Sequence, residues 1–124
     1  MNKKDFAFKD LKVWHKAIAF ADYSISLSEN LKSTQKHYRL IELFESASTS
    51  VSMNIAEGKG RNSQKEFIQY LYIARGSLYE TVTLAFIFEK RNWISKEELE
   101  MLEADAIKIA SMIKGLINSI VKSI

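Results

Sequence analysis

Apolar residues recur in steps of three and four along almost the whole chain, and not one proline interrupts them. Side chains three and four apart share a face of an α-helix, so this spacing commits the chain to amphipathic helices. Only four glycines occur in the 124 residues. Sandwiches and barrels need frequent turns, built largely from Gly, Pro and Asn, so an all-β fold is excluded. The length suits one ordinary domain and is sufficient to bury a core without covalent staples.

Four helical segments emerge. In the first, Leu11, Trp14, Ile18, Ala21, Ile25 and Leu31 mark one face, and Asp10 stands where a cap belongs. The polar run NLKSTQK separates it from a second face of Leu40, Leu43, Phe44, Ala47, Val51, Ile55 and Ala56. Gly58 suits the left-handed position just past a helix end. Ser63 with Glu66, and Ser95 with Glu98, have capping-box spacing. Behind them run Phe67, Leu71, Ala74, Leu78, Val82, Ala85 and Phe86, and then Leu99, Leu102, Ala106, Ile109, Ile113, Leu116, Ile120 and Ile124. The spacing predicts helices over 10–31, 37–57, 64–91 and 96–122. With short loops they make an all-α antiparallel up-down-up-down four-helix bundle. It is one domain over 1–124, with residues 1–9 as a loosely ordered N-terminal arm.

The third helix is more apolar than one core face requires. Tyr70, Ile73, Leu84 and Ile87 form a second stripe, and Tyr72, Tyr79 and Phe88 add to the excess. No helix of a four-helix bundle is fully surrounded, so Tyr70, Ile73, Leu84 and Ile87 are expected at a homo-oligomer interface.

Catalytic chemistry finds no purchase. The chain has no Cys, which excludes disulfides, thiolate catalysis and Cys-based zinc sites and makes the cytoplasm its natural compartment. His15 and His37 lie in different helices, and no Glu has a His three residues later, so zinc-protease and di-iron patterns are absent. The acidic run Glu97, Glu98, Glu100, Glu103 and Asp105 reads as a solvated helix start, favoured there by the helix dipole. No catalytic residue, cofactor or metal is expected, and the chain is read as no enzyme. No apolar run approaches the ~20 residues of a membrane span, and no signal peptide begins the chain.

Charge is uneven along the sequence. Residues 1–16 carry five Lys (Lys3, Lys4, Lys9, Lys12 and Lys16) against two Asp, and residues 58–77 carry four Lys and Arg against one Glu. Residues 94–105 carry five acids against one Lys. If the two basic segments meet, Lys59, Arg61, Lys65, Lys9 and Lys12 form a patch for the phosphates of a nucleic acid. The loop from Gly58 to Ser63 admits two readings, a backbone cradle for phosphate or a plain helix–helix turn; it lacks Walker A spacing. Asn54, Glu57, Arg61 and Glu80 are candidates for a polar cluster that pins this loop. Gly76 and Ser77, mid-helix, suggest that a neighbouring helix comes close.

Three stretches, FKDLKVWHKAIAF, SVSMNIAEGKGRNSQKEFIQYLYIARGSLYE and NWIS, run through nearly the whole chain in order. With them the sequence resembles the four-helix-bundle proteins encoded by 23S rRNA intervening sequences. The resemblance implies a homopentameric ring without enzymatic activity that binds RNA. It also implies kinship with the accessory variability determinant of diversity-generating retroelements, whose partners are nucleic acid and a reverse transcriptase. The chain departs from the family pattern where members carry an Arg pair in helix two: here Phe44 and Glu45 stand instead. Two functions follow, an RNA-binding accessory protein or a homo-oligomeric protein–protein interaction scaffold that binds no nucleic acid.

Overall fold

The computed structural model describes residues 5–33 and 37–124. Four helices dominate it: α1 (Lys12–Glu29), α2 (Tyr38–Lys59), α3 (Gln64–Lys90) and α4 (Lys96–Ser123). No strand occurs among the described residues. Every helix boundary falls within two residues of the expected one.

Local signals explain most of these ends. Ser95 Oγ accepts from Glu98 N at 3.0 Å while Ser95 N donates to Glu98 Oε1 at 2.8 Å, a complete capping box. At α3 only half the box forms: Ser63 Oγ accepts from Glu66 N at 3.1 Å, but the Glu66 carboxylate faces the Ser63 hydroxyl and Arg61. Asn92, at φ 63°, takes the left-handed position after α3, and Trp93 N closes the turn on Phe88 O at 2.8 Å. Two expectations are corrected. Asp10 does not cap α1; it ends a 3₁₀ turn, Ala7–Asp10, and Leu11 takes the cap position without a side-chain bond. Gly58 is not left-handed either, because α2 runs through it to Lys59.

Each helix packs on its sequence neighbours, α1 closes on α4, and the backbones of the diagonal pairs stay farther apart within the described residues. Contacts pair residues in reverse order. Ser28 bonds Glu45 across α1 and α2, Ser50 bonds Ser77 across α2 and α3, and Tyr23 reaches Glu98 across α1 and α4. Between α3 and α4, Thr83 shares a groove with Glu103, and Tyr72 shares one with Asn118. The helices therefore alternate in direction. The core between them is built on Phe20, Phe44, Ile55, Leu71, Phe88, Leu102 and Ile109.

The inward faces depart from the expected ones where polar residues lie inside. On α1 the buried set is Val13, Ala17, Phe20, the expected Ala21, Ser24, Leu27 and Ser28, while Ile18 stays 43% exposed and Trp14 and Ile25 are half-buried. On α3 the seam runs through Thr81 to Phe88, and Phe86 faces out. On α4 Ile117 replaces Leu116, and Ile124 is exposed. A self-satisfied hydroxyl accounts for the inward serines and threonine: Ser24 donates to Phe20 O, Ser77 to Ile73 O and Thr81 to Ser77 O. With its hydrogen bond made on its own helix, such a residue serves as a small core side chain. Among the described residues no buried side-chain polar atom lacks a partner.

Candidate nucleic-acid interface at the basic end of the bundle

Alternating helix directions bring the 3₁₀ turn, the start of α1, the end of α2, the start of α3 and the end of α4 to one end. Lys9, Lys12, Lys59, Arg61 and Lys65, separated in sequence by up to 56 positions, all lie there. The half of the bundle at this end (residues 5–20, 49–76 and 110–124) carries nine Lys and Arg against four Asp and Glu, a net of +5. The described remainder carries six against eleven, a net of −5. A 27-residue helix such as α3 is about 40 Å long, several times the ~8 Å screening length of physiological salt. An approaching anion therefore meets the basic pole without the acidic one.

Residues 7–10, of which 7–9 fall in the arm expected over 1–9, form the 3₁₀ turn. Their 3₁₀ turn packs on both α1 and α2. The His15 Nε2–H donates to Lys9 O at 2.8 Å, and the Phe8 ring lies 5.0 Å from Trp14 and 5.3 Å from Phe6. Residues 1–4, with Lys3 and Lys4, lie outside the described residues. Between the turn and the end of α2 opens a cleft of about 750 Å³. Phe6, Ala7 and Phe8 form one wall, Met53, Asn54 and Glu57 the other, and Lys59 and Arg61 stand at the rim. Sequence periodicity gave no hint of the Phe6–Phe8 wall, because it lies ahead of the first α-helix.

The loop between α2 and α3 is a helix–helix turn. Gly58 is buried against α3: a Cβ there would stand 2.6 Å from Tyr70 Cβ. Ser63 already takes the Glu66 amide, and the Glu66 carboxylate lies beside the helix start, where its charge opposes a phosphate. Arg61 is held by its neighbours. Glu57 and Glu66 each approach it at 3.9 Å, and it donates to the Tyr70 hydroxyl with its guanidinium 4.9 Å from the Tyr70 ring. Such exposed pairs contribute about 0–1 kcal/mol each, so Arg61 orders the loop more than it strengthens the fold. Lys9, Lys12, Lys59 and Lys65 make no ion pair among the described residues. Lys59 rests 5.7 Å over the Phe67 ring.

Of the four residues proposed to pin this loop, only Glu57 and Arg61 approach each other. Asn54 turns inward instead, its Nδ2 donating to Ser50 O and Ser50 Oγ at 2.8 Å each. Glu80 is exposed ten residues beyond Tyr70 on α3, about 15 Å along the axis, with no side-chain bond among the described residues. In helix two, Phe44 is fully buried and Glu45 Oε2 accepts from Ser28 Oγ at 2.5 Å. The residues that replace the family's Arg pair thus serve packing between helices.

The outward face of α3 is the second notable surface. Ile73 and Ile87 are exposed there, but Tyr70 is half-buried under Arg61 and Leu84 packs partly on the core. Beside them Tyr72, Tyr79 and Phe86, each 44–57% open like Ile73 and Ile87, follow one another at intervals of seven. That heptad spacing was visible in sequence. Gly76 lies among them, and a Cβ added to it would meet nothing within 4 Å. Close approach within the chain therefore explains Ser77, which meets Ser50 at 3.0 Å, but not Gly76.

At the opposite end His37 stacks on Trp93 at 4.4 Å, and burial, followed by the charges of Glu98 and Asp105, pushes the Tyr23 hydroxyl above its ordinary range. No group of three His, Cys, Asp or Glu residues is arranged to hold a metal among the described residues. No described helix is long and apolar enough to cross a membrane.

A family model for 23S rRNA-intervening sequence proteins matches residues 9–115. Among solved structures, the chain is similar to a protein of unknown function from the S23 ribosomal protein family of Bacteroides thetaiotaomicron. The two share 26% identity and a TM-score of 0.79, over 85% of this chain and 97% of that one. No curated protein matches the chain.

Proposed function

Because the chain belongs to the 23S rRNA-intervening sequence protein family, we propose that it is a non-enzymatic, self-associating bundle that binds RNA through its basic end. The carrying observation is the separation of +5 from −5 along the axis, with Lys9, Lys12, Lys59 and Lys65 free of carboxylate partners among the described residues. Lysines of this kind bind phosphate as point charges and select for backbone rather than sequence.

Binding to fragments of 23S rRNA should therefore weaken steeply with salt, at about 0.7 in log K per log salt for each phosphate neutralised on single strands. Changing Lys9, Lys12, Lys59 and Lys65 together to Gln should flatten that slope and weaken all sequences alike. Arg61→Gln should instead lower the melting temperature slightly and leave most of the slope. Filter binding or anisotropy across a salt series measures both. Absence of binding by the wild-type chain at low salt would overturn the proposal in favour of a protein-binding scaffold.

Self-association rests on α3. A mid-helix Gly costs about 1 kcal/mol relative to Ala, and nothing inside the chain requires Gly76. A helix of a second copy, seated on Tyr72, Ile73, Tyr79, Phe86 and Ile87, supplies the reason, and five copies around an axis is the assembly proposed. Avidity across the copies then offsets the few cations each one offers. Light scattering at micromolar concentration should report an oligomer for the wild type and a monomer with unchanged helical circular dichroism for Gly76→Leu. A monomeric wild type would rule the assembly out.

A further inference from the structure

We propose that the cleft between the 3₁₀ turn and α2 receives a single unstacked base, so that the protein prefers single-stranded RNA over duplex and cytosine over uracil. The inference rests on the RNA-binding reading above and specifies what its basic end holds. Phe6 is 72% exposed, and its ring lies nearly parallel to that of Phe8, at 12° and 5.3 Å between centroids. One face of Phe6 is thus covered and the other is open. The turn that carries it is tied down by the His15–Lys9 bond and by Phe8 on Trp14. A rigid, open aromatic face beside unpaired lysines is the combination that binds single strands, where bases stack on the ring and cations follow the backbone.

The cleft's size and its opposite wall narrow the ligand further. About 750 Å³ lies in the range of small-molecule sites and suits one nucleotide. Asn54 turns its Nδ2 amino group to Ser50 O and Oγ, which leaves Oδ1 as the atom for a ligand. Glu57 adds a carboxylate, one oxygen of which faces Arg61 at 3.9 Å. Both groups accept hydrogen bonds and repel phosphate, so the base goes inward while Lys59 at the rim and Lys9 on the turn meet the backbone. Cytosine presents an N4 amino donor where uracil presents the O4 acceptor. Uracil can offer this wall one N–H, at N3 and beside its O4 acceptor, whereas the cytosine N4 amino group offers two, so two acceptors side by side favour cytosine.

Anisotropy with labelled ten-nucleotide oligo(C), oligo(U) and a duplex of equal length, at one low salt concentration, tests this on the full chain. Oligo(C) is expected to bind more tightly than oligo(U) and than the duplex. Phe6→Ala should weaken oligo(C) roughly tenfold with an unchanged melting temperature, in line with the loss of one base–aromatic stack. Phe6→Trp should restore binding, and its emission should be quenched as the base stacks. Glu57→Gln would also release Arg61 and Asn54→Asp would break the bonds to Ser50, so Phe6 carries the test. Equal affinity for Phe6→Ala and wild type, or for duplex and single strand, or for oligo(C) and oligo(U), would overturn the cleft assignment while leaving lysine-mediated RNA binding intact. No binding by any variant to any RNA would overturn both.

Discussion

Phe88→Ala is expected to remove about 3–5 kcal/mol of folding stability, while Phe86→Ala, two positions away, should remove less than about 1 kcal/mol. Phe88 is fully buried, its ring 5.1 Å from Phe44 and 5.4 Å from Trp93, so truncation leaves a cavity between α2 and α3 that these rings cannot fill. Domains of this size are stable by about 5–15 kcal/mol, so the loss is a large share of the whole. Phe86 is 46% exposed. Its truncation should act on assembly instead, shifting the concentration at which oligomers form. Urea unfolding followed by circular dichroism at several protein concentrations separates the two, because only an assembly effect depends on concentration. Equal, concentration-independent losses for both variants would contradict the placement of the α3 seam.

Gly58→Ala should destabilise the protein by about 1–3 kcal/mol, although alanine is the better helix former. The added methyl carbon would lie 2.6 Å from Tyr70 Cβ and 3.0 Å from Phe67 Cδ1. Tyr70 Cβ is fixed to the α3 backbone, so relief requires the helices to separate rather than a side chain to swing. The gain of about 1 kcal/mol in helix propensity offsets only part of that cost. Gly115→Ala is the matched control, since α4 is open there and nothing lies within 4 Å of the new atom. It should stabilise by up to about 1 kcal/mol, and at roughly 4 °C per kcal/mol the two melting temperatures should move in opposite directions. A rise for both would mean that α2 and α3 do not approach as closely as Gly58 indicates.

Particular residues show how far the sequence alone reached. Ser95 with Glu98 announced the start of α4, and the full box is there, because capping is a bond between neighbours that needs no tertiary partner. Phe44, Ala47, Val51 and Ile55 were legible as the inner face of α2, although Leu43, expected beside them, is 47% exposed while Ser48 and Ser52 are buried. On α1 and α3 two stripes of similar hydropathy compete, and periodicity cannot choose between them. The stripes through Ser24 and Thr81 went inside because hydroxyls bonded to their own helices pack as small groups. Hydropathy counts such residues as polar and so traced the seam through Ile18 and Phe86 instead.

The candidate site divides in the same way. That residues 1–16 and 58–77 are basic is a property of the sequence, as is the family resemblance carried by the stretch around NIAEGKGRN. That Lys9 and Lys12 share one end with Lys59, Arg61 and Lys65, that Arg61 is engaged by Glu57 and Glu66, and that Phe6 and Phe8 face the end of α2 across a cleft were decided only by the folded chain. The physical reason is one of range. Helix spacing, caps and the absence of proline act over a few residues and are written locally, so sequence alone determined four helices and their limits. Which stripe turns inward, which cation is already paired and what lies across a cleft depend on contacts between residues tens of positions apart, and only tertiary packing settles those.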